Sequence, residues 1–481
     1  MTMKVLFAAA ECAPFFKTGG LGDVAGALPK ELIQQGVDVK VVLPFHTTMP
    51  QEYKNKLEDV LSFEVKVGWR NQFCGLKRLV KDRVTYYFID NLSYFDRPNL
   101  YGYDDDGERF AFFSQAVCEM MEKIDFIPDV LHLNDWHTAI IPVLLKDKYQ
   151  WIKEYQKIKT VLTIHNLQFQ GIYSQAVLSD WYGIGYNTYH ENGLKYYEDV
   201  NVLKGGIFFA DQVTTVSPTY AKEIQTPYFG ENLDGVLRQN KYKLSGILNG
   251  IDYDEFNPET DKKIQHHFTV KELSGKSKDK TLLQEKVGLP IDSTVPLMAM
   301  VSRLTAQKGC HLLCEQMDEL MKRDIQVLIL GTGETEYENS FRYFNWRYPE
   351  KFKAIIDFDT NLAQQIYAGS DLFIMPSAFE PCGLSQLYSL RYGTLPIVHE
   401  TGGLKDTVIP YNTITGEGTG FSFYDYRSHV MMETIDQAIT VYYDRPKQWK
   451  ALIKQAMIQD NSWKKSTEVY IKHYKSLIGH E

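Results

Sequence analysis

Short apolar runs alternate with longer stretches of helical periodicity along most of the chain. In the first half the apolar runs are rich in Val, Ile and Leu, which is typical of parallel strands joined by crossover helices. Helical spacing of apolar residues predicts helices at residues 23–35 and 108–124. The apolar runs predict strands at residues 4–10, 39–44, 84–89, 130–133, 160–164 and 212–216.

The second half repeats this alternation. Further helices are predicted from residue 429 onward, the last of them at residues 464–478. Strand followed by helix, many times over, predicts the α/β class with doubly wound parallel sheets. The predicted strands are 295–301, 326–330, 354–357, 372–375 and 395–398, separated by helices such as 311–323 and 383–392.

Chain length favours two lobes, because 481 residues exceed what one hydrophobic core usually holds. We expect a Rossmann-like lobe at residues 1–245, a polar, turn-rich linker or hinge at 246–262, and a second Rossmann-like lobe at 263–460. Ligands of such sheets bind beyond the carboxyl ends of the strands. Two facing lobes would therefore enclose the ligand in a cleft.

Charge and cysteine content narrow the function classes. The 52 Lys and Arg against 61 Asp and Glu leave a net charge of −9, which argues against a nucleic-acid partner. No uncharged apolar run is long enough to span a membrane. The six scattered cysteines fit a reducing cytoplasm, and Cys310 and Cys314 with His311 do not make a convincing metal site.

A glycine-rich segment follows the first predicted strand. Gly19, Gly20 and Gly22 precede a helix and would let backbone N–H groups approach an anion, with Lys17 as a nearby cation. The spacing from Gly20 to Ala25 formally matches a dinucleotide fingerprint. The match is displaced by nine residues from its strand, and the second strand ends without a carboxylate for a ribose. These departures argue against a dehydrogenase.

Polar clusters end two neighbouring strands of the first half. Asp135 and Trp136 follow the strand at 130–133, and His165 follows the strand at 160–164. Asp135 could cap a helix, or it could bind a sugar together with the indole of Trp136. His165 could be structural or could lie at the binding site.

In the second half, Arg303 and Lys308 follow a strand and suit two phosphoryl groups. Thr401 and Gly402 open a short helix and offer a second phosphate site. Glu380 lies at a turn before a helix. It could accept hydrogen bonds from ligand hydroxyls or merely complement the helix dipole.

Six motifs together resemble bacterial glycogen synthases and plant starch synthases, glycosyltransferase family 5. The resemblance covers essentially the whole chain, in the family's order. It implies the GT-B fold and a last helix, within 461–481, that packs back on the first lobe. It also implies retaining transfer of glucose from ADP-glucose to the non-reducing end of an α-1,4-glucan such as glycogen, without metal or other cofactor. The motifs are KTGGLGDV (17–24), NDWH (134–137), IHN (164–166), SRLTAQKG (302–309), PSAFEPCGLSQL (376–387) and ETGGL (400–404).

The resemblance also implies roles for individual residues. Those nearest the transferred glucose would be Glu380, His165, Asp135, Lys308 and Arg303. The acceptor would be bound by Asp135, Trp136 and Asp105. The donor would be bound by Lys17, Gly19, Gly20, Asp23, Asn249, Arg303, Lys308, Cys382, Gly383, Leu384, Thr401 and Gly402.

Three positions depart from related patterns. Tyr388 stands where other GT-B transferases carry a second Glu, although the absence of that Glu is usual in this family. Asp106 replaces a common Asn, and His399 replaces a common Arg. None of the three is one of the residues expected on the diphosphate.

Other functions remain open on sequence alone. A metal-dependent transferase of another fold would use Asp104 and Asp106, but that pair precedes a helix rather than ending a strand. A phosphorylase would need a lysine for pyridoxal phosphate, which no feature marks. A catalytically idle glucan-binding protein and a transferase that uses UDP-glucose are the remaining alternatives.

Overall fold

The computed structural model describes residues 2–479 and divides into two compact units. The first unit runs to Asn249 and also includes the residues from Trp463 onward, whereas the second unit is Gly250–Ser462. The stretch expected as a hinge at 246–262 is not a separate segment. Residues 250–262 belong to the second unit, where Asp261 is buried and accepts a hydrogen bond from Tyr392 Oη at 2.6 Å.

The first unit is built on a nine-stranded sheet in the order β12-β11-β7-β6-β1-β2-β5-β4-β3. All neighbours pair in parallel except β5-β4 and β4-β3, which are antiparallel. A small second sheet has the order β8-β10-β9. The strands are β1 (Lys4–Ala8), β2 (Asp38–Pro44), β3 (Glu58–Val67), β4 (Arg70–Lys81), β5 (Val84–Asp90), β6 (Val130–Asn134), β7 (Lys159–Ile164), β8 (Ile172–Ser174), β9 (Lys195–Tyr196), β10 (Asp199–Asn201), β11 (Gln212–Thr215) and β12 (Leu244–Gly246).

Helices cover both faces of the large sheet. Alternate residues of β1 therefore enter different cores: Leu6 and Ala8 pack in one, Val5 and Phe7 in the other. A single π-helical turn lies at Leu178–Tyr182. The α-helices are α1 (Gly20–Gln34), α2 (Gln51–Lys54), α3 (Leu92–Phe95), α4 (Asp106–Lys123), α5 (Ile141–Lys146), α6 (Val202–Phe209), α7 (Pro218–Glu223) and α8 (Asp234–Gln239).

The second unit has a six-stranded parallel sheet in the order β15-β14-β13-β16-β17-β18 and its own core. Its strands are β13 (Leu297–Val301), β14 (Gln326–Leu330), β15 (Phe352–Ile355), β16 (Leu372–Met375), β17 (Leu395–His399) and β18 (Phe421–Phe423). Its helices are α9 (Ser274–Val287), α10 (Cys310–Leu320), α11 (Thr335–Arg347), α12 (Thr360–Gly369), α13 (Ser385–Arg391), α14 (Gly402–Thr407), α15 (Ser428–Asp444) and α16 (Pro446–Ile458).

The last helix, α17 (Trp463–Ile478), is part of the first unit. Its Tyr470 and Tyr474 are buried, and the Tyr474 hydroxyl lies 2.6 Å from His132 Nδ1 on β6. Trp463 is buried in the same core. Helix α17 thus covers part of one face of the first sheet and shields it from solvent.

The doubly wound α/β architecture predicted from the sequence is confirmed, and the predicted strands differ from the observed ones by at most two residues at either end. The antiparallel hairpin β3-β4 was not predicted. In residues 2–479 no helix is both long and apolar enough to cross a membrane.

Candidate active site

Strand order locates a binding edge in each unit. Counting only the parallel strands along the chain, both sheets follow the order 3-2-1-4-5-6, which the first unit extends by β12. The direction of winding reverses between β1 and β6 in the first unit, and between β13 and β16 in the second. Ligands of this architecture bind beyond the carboxyl ends of the strands at that reversal. The predicted site residues follow these strands or their neighbours, except Asp105, which precedes α4, and Asn249, which follows the edge strand β12.

Asp135 directly follows β6 in a left-handed conformation with φ of 56°. Its Oδ1 accepts the backbone N–H of His165 at 2.7 Å, so the carboxylate joins the ends of β6 and β7. No α-helix begins there, and the alternative prediction of a helix cap is wrong. Burial raises the pKa of Asp135 to about 7, because a desolvated carboxylate resists ionisation.

His165 is held as a neutral hydrogen-bonding group. Its Nε2 lies 2.8 Å from Asn134 Oδ1, while the Asn134 amide nitrogen donates to Ala8 O at 2.9 Å. The amide oxygen therefore faces the ring, and His165 donates from Nε2. Burial lowers the pKa of His165 to about 3. An uncharged imidazole beside Asp135 can orient a hydroxyl without adding positive charge.

Trp136 is mostly buried in an aromatic cluster. Only 8% of the residue is exposed, and its ring lies 5.5 Å from Phe110 and 6.0 Å from Tyr173 between centroids. Gly171 approaches so closely that a Cβ there would lie 2.5 Å from the indole. Trp136 can therefore offer a sugar an edge rather than a whole face.

The glycine-rich loop before α1 contains a residue that the sequence analysis missed. Buried Glu11 accepts the backbone N–H groups of Thr18 (2.9 Å), Gly19 (3.2 Å) and Gly22 (2.9 Å). These N–H groups are occupied by a carboxylate of the chain itself, as at a phosphate site. We expected the N–H groups of this loop to bind a phosphate. The N–H groups bound to Glu11 cannot do so in this arrangement, which leaves only the other N–H groups of the loop. The signal for Glu11 was an acidic residue directly after a buried strand.

Lys17 and Asp23 form an ion pair at 2.6 Å on the surface of the same loop. The sequence analysis expected both among the donor-binding residues, with Lys17 in the donor phosphate region and Asp23 nearby in the same loop. Pairing with Asp23 positions the Lys17 ammonium, and an ammonium has three N–H donors, so two remain for a further anion.

Asp105 and Asp106 have different partners at the start of α4. Asp105 pairs with Arg97 at 2.7 Å and is partly exposed. Asp106 accepts the N–H of Gly102 at 2.7 Å and pairs with Arg109, which is fully buried. The Asp at position 106 therefore serves as the counter-ion of a buried arginine.

In the second unit, partly buried Lys308 forms an ion pair with buried Glu380. Lys308 Nζ lies 2.6 Å from Glu380 Oε2, which also accepts the hydroxyl of Ser377 at 3.1 Å. The loops that carry them are joined by the N–H of Ala378, which donates to Gln307 O at 2.8 Å. Gly309 has φ of 77°, and a Cβ there would lie 1.9 Å from Pro376 O. The two loops fix the ion pair at the β13-β16 reversal.

A cavity of about 170 Å³ lies at this reversal. Arg303 and Lys308 contribute cations to its lining, and Ser302, Ser377 and Ser385 contribute hydroxyls. Arg303 is exposed, and its guanidinium has no ion-pair partner in residues 2–479. The cavity thus combines a free cation, a paired cation and hydroxyl groups, which suits a phosphorylated ligand.

The turn of Glu380 is held by the loop before α14. A Cβ on Gly402, whose φ is 45°, would lie 1.8 Å from Glu380 O. The N–H of Gly403 donates to Glu380 O at 3.2 Å and to Pro381 O at 3.1 Å. This N–H supports the Glu380 turn and does not serve the phosphate site predicted at Thr401 and Gly402.

The segment between Glu380 and α13 is held by a hydrogen bond from the first turn of that helix. Cys382 is buried, Gly383 has φ of 70°, and Leu384 precedes the first helical residue, Ser385. The side chain of Gln386 donates to Cys382 O at 2.9 Å. The helix therefore begins two residues later than predicted.

Three further positions have clear environments. Asn249 is buried, and its Oδ1 has no hydrogen-bond partner within the described chain, which fits an acceptor for a ligand hydroxyl. Tyr388 stacks on Phe256 with centroids 3.9 Å apart, so its role is packing. His399 is fixed between Ser377 O (2.7 Å) and Tyr424 O (3.2 Å), and burial lowers its pKa.

No cluster of three or more His, Cys, Asp or Glu side chains suited to a metal ion occurs between residues 2 and 479. Asp104 is exposed and does not join Asp106 in any such cluster.

Known proteins are similar to this chain over almost its whole length. Residues 4–239 match the family described as "Starch synthase catalytic domain", and residues 283–456 match "Glycosyl transferases group 1". The chain is 57% identical to the glycogen synthase of Ligilactobacillus salivarius, covering 99% of this chain and 100% of the relative. It is 56% identical to the glycogen synthase of Lactococcus lactis, with the same coverage.

The fold also matches the catalytic domain of starch synthase IV from Arabidopsis thaliana, solved with ADP and acarbose bound. The TM-score is 0.93 at 32% identity, and the match covers 100% of both chains. The predicted GT-B fold and the predicted family are both confirmed. The chain belongs to the family of bacterial glycogen synthases and plant starch synthases, which are glycosyltransferases of the GT-B fold.

Proposed function

We propose that the protein transfers glucose from ADP-glucose to the non-reducing end of an α-1,4-glucan, with retention of the anomeric configuration, and so elongates glycogen. The observation that carries the proposal is the Lys308–Glu380 ion pair beside Arg303, at the strand reversal where an α/β sheet binds its ligand. Full-length relatives named glycogen synthase support the acceptor, and the ADP bound to the starch synthase relative supports the nucleotide.

Arg303 and Lys308 act on the leaving group in this proposal. Negative charge develops on the diphosphate as the bond to the anomeric carbon breaks, and two fixed cations stabilise it. Lys308 keeps two N–H donors for phosphoryl oxygens while the third binds Glu380. Glu380 in turn accepts hydrogen bonds from glucose hydroxyls.

Retention is proposed to follow a front-face route. The anomeric carbon–oxygen bond breaks, and ADP leaves with the electron pair. The acceptor hydroxyl oxygen forms the new bond on the same face and passes its proton to the leaving phosphate. In the first unit, neutral His165 and Asp135 orient sugar hydroxyls. A glucosyl adduct trapped on Asp135 or Glu380 would contradict this route.

The proposed reaction uses no metal or other cofactor, because the charge on the leaving group is met by Arg303 and Lys308. Activity should therefore persist in excess EDTA. Loss of transfer in EDTA, restored by a divalent cation, would contradict this part of the proposal.

The test of the proposed function is transfer of labelled glucose from ADP-glucose or UDP-glucose to glycogen. We expect transfer from ADP-glucose, with UDP-glucose a poor donor. Transfer from neither donor would leave a glucan-binding protein, and preference for UDP-glucose would overturn the nucleotide assignment.

Substitution of the two cations tests the phosphate assignment. Arg303→Ala and Lys308→Ala should each lower kcat/KM by about 10²–10³, the loss typical of one group that stabilises transition-state charge. Lys322→Ala is the matched control, because Lys322 is an exposed lysine paired with Glu319 on the same unit. Near-normal kcat/KM in both active-site variants would show that the phosphates bind elsewhere.

A further inference from the structure

Trp69 is an exposed aromatic side chain that is held in one orientation. It lies in the turn between β3 and β4, and 81% of the residue is exposed. Its indole Nε1 donates to Asp180 Oδ1 at 3.2 Å. Exposure of a single tryptophan carries no functional meaning by itself. A ring that is both exposed and anchored is suited to stacking on a ligand.

The whole turn is fastened to the π-helical turn Leu178–Tyr182. The N–H of Gly68 donates to Trp181 O at 3.0 Å, and Arg70 donates to Asp180 O and Asp180 Oδ1, each at 3.1 Å. Gly68 has φ of 59°, and a Cβ there would lie 2.0 Å from Asp180 O, so this approach requires glycine. Fixing the ring in advance lowers the entropy lost when a ligand binds.

The groups around the ring identify the chemistry of that ligand. The Arg70 guanidinium lies over the Trp69 ring, 5.3 Å from its centroid, yet 81% of Trp69 remains exposed. Arg70 is paired with Asp180 and Glu108, so the site has no excess positive charge for a phosphate. Both donors to Asp180 reach Oδ1, and no other donor within residues 2–479 reaches Oδ2. A flat apolar face beside a carboxylate oxygen matches the C–H face and hydroxyl rim of a neutral sugar.

An aromatic cluster lies between this turn and the proposed acceptor residues. Trp181, adjacent to Asp180, lies 4.9 Å from Tyr173, and Tyr173 lies 6.0 Å from Trp136 between ring centroids. Trp136 adjoins Asp135 at the end of β6. These three rings lie within the first unit, and Trp69 is joined to them only through Asp180, which precedes Trp181 and accepts the Trp69 indole N–H.

We infer that Trp69, with Asp180 and Arg70, binds an α-glucan chain at a glucosyl residue remote from the one that accepts the transferred glucose. A long acceptor chain would therefore bind at two places, whereas a disaccharide bound at the transfer site is too short to contact Trp69. This inference rests on the proposed function, since it takes the glucan to be the acceptor.

The test compares Trp69→Ala with Trp151→Ala. Trp151 is a matched control: it is 72% exposed, belongs to the same unit, and donates its indole N–H to Lys148 O at 3.1 Å. Binding to glycogen is measured by retardation in native gels that contain glycogen, and transfer is measured with glycogen and with maltose as acceptors. A third variant, Trp69→Phe, keeps an aromatic ring without the indole N–H.

We expect Trp69→Ala to weaken glycogen binding and to raise KM for glycogen by about tenfold, with kcat and the KM for maltose unchanged. Trp69→Phe should fall between Trp69→Ala and the wild type, and Trp151→Ala should match the wild type. Thermal unfolding of each variant shows whether the fold is retained.

Three outcomes would contradict either the inferred glucan site at Trp69 or the proposed glucosyl transfer. If the wild type transfers to glycogen and Trp69→Ala behaves like Trp151→Ala, the inference is wrong and the proposed function stands. If Trp69→Ala impairs maltose and glycogen equally, Trp69 is not a remote site, and the inference is again wrong. If the wild type neither binds glycogen nor transfers to it, the proposed function itself fails.

Discussion

At the scale of single residues, the site combines one perturbed carboxyl group with one neutral imidazole. Asp135 has its pKa raised to about 7 by burial, and His165 has its pKa lowered to about 3. Both shifts have the same cause, since burial penalises the charged form of each group. Below pH 7 the pair therefore carries little net charge, and in the proposed reaction it would present hydrogen-bonding groups to the sugar.

The raised pKa of Asp135 predicts a pH-dependent stability. The ordinary pKa of the group is 3.8, so between about pH 4 and pH 7 the folded protein holds a proton that the unfolded chain releases. The stability contributed by the protonated group is complete at low pH and is lost as pH rises through 7. Asp135→Asn keeps an acceptor for the His165 N–H and cannot titrate. From pH 5 to pH 8, we expect its free energy of unfolding to gain about 2.5 kcal/mol relative to the wild type.

Urea unfolding of the full-length protein and the variant at pH 5, 6.5 and 8 checks this prediction. Asp104→Asn is the control, because Asp104 is an exposed carboxylate in the same unit. Its unfolding free energy should stay parallel to that of the wild type. Parallel curves for Asp135→Asn as well would mean that the carboxyl group ionises normally.

At the scale of secondary-structure elements, loops that touch each other decide where site residues stand. The loop before α14 supports the turn that carries Glu380, because Gly402 lies against the Glu380 carbonyl. Lys308 reaches Glu380 only because Gly309 allows the loop after β13 to approach Pro376. Such contacts join segments that are far apart in the sequence.

Gly402→Ala should displace the Glu380 turn. The added Cβ would lie 1.8 Å from Glu380 O, and the φ of 45° is unfavourable for alanine. We expect a loss of about 2–4 kcal/mol in the free energy of unfolding, together with at least a tenfold lower kcat/KM. Gly36→Ala is the control, because Gly36 has φ of 88° and nothing within 4 Å of its added Cβ.

The control should cost about 1 kcal/mol and leave kcat/KM unchanged. Chemical denaturation and transfer assays on both variants provide the comparison. Equal kcat/KM for the two variants would show that the loop before α14 does not position Glu380.

Elements with regular patterns were predictable, whereas contacts between loops were not. Most parallel strands follow from their apolar runs, although the three-residue strands β12 and β18 were not predicted. The shared edge of β6 and β7 places Asp135 near His165. The β3-β4 hairpin was overlooked although Leu61, Phe63, Val65 and Val67 alternate with polar residues, because its other face is exposed and highly charged. The partner of Glu11 depends on how the glycine-rich loop folds back, which no periodicity encodes.

At the scale of the whole molecule, the two units are built in different ways from the chain. The second unit is a single stretch whose ends meet, since Ile251 bridges to Ser462 and its N–H donates to Asn461 O at 2.9 Å. The first unit needs two stretches, because Trp463, Tyr470 and Tyr474 of α17 are buried in its core. Sequence length predicted two cores, but not that one core is completed by the end of the chain.

This difference predicts how isolated fragments behave. Residues 250–462 contain a complete core and paired ends, so they should fold alone and unfold cooperatively on heating. Residues 2–249 lack α17, which exposes one face of α1 and leaves His132 Nδ1 without the Tyr474 hydroxyl at 2.6 Å. Exposed core surface and an unpaired buried group should leave this fragment loosely packed, with a low and broad thermal transition.

A peptide of residues 463–479 should restore the first unit when added in excess, because it binds the folded state alone and stabilises it by mass action. The same peptide with Tyr474→Ala lacks both the buried ring and the hydroxyl, so it should restore much less. Near-ultraviolet circular dichroism during heating reports the packing in each mixture. A fragment 2–249 that melts sharply without peptide, and gains nothing from either version, would show that α17 covers the first sheet without being needed for its fold.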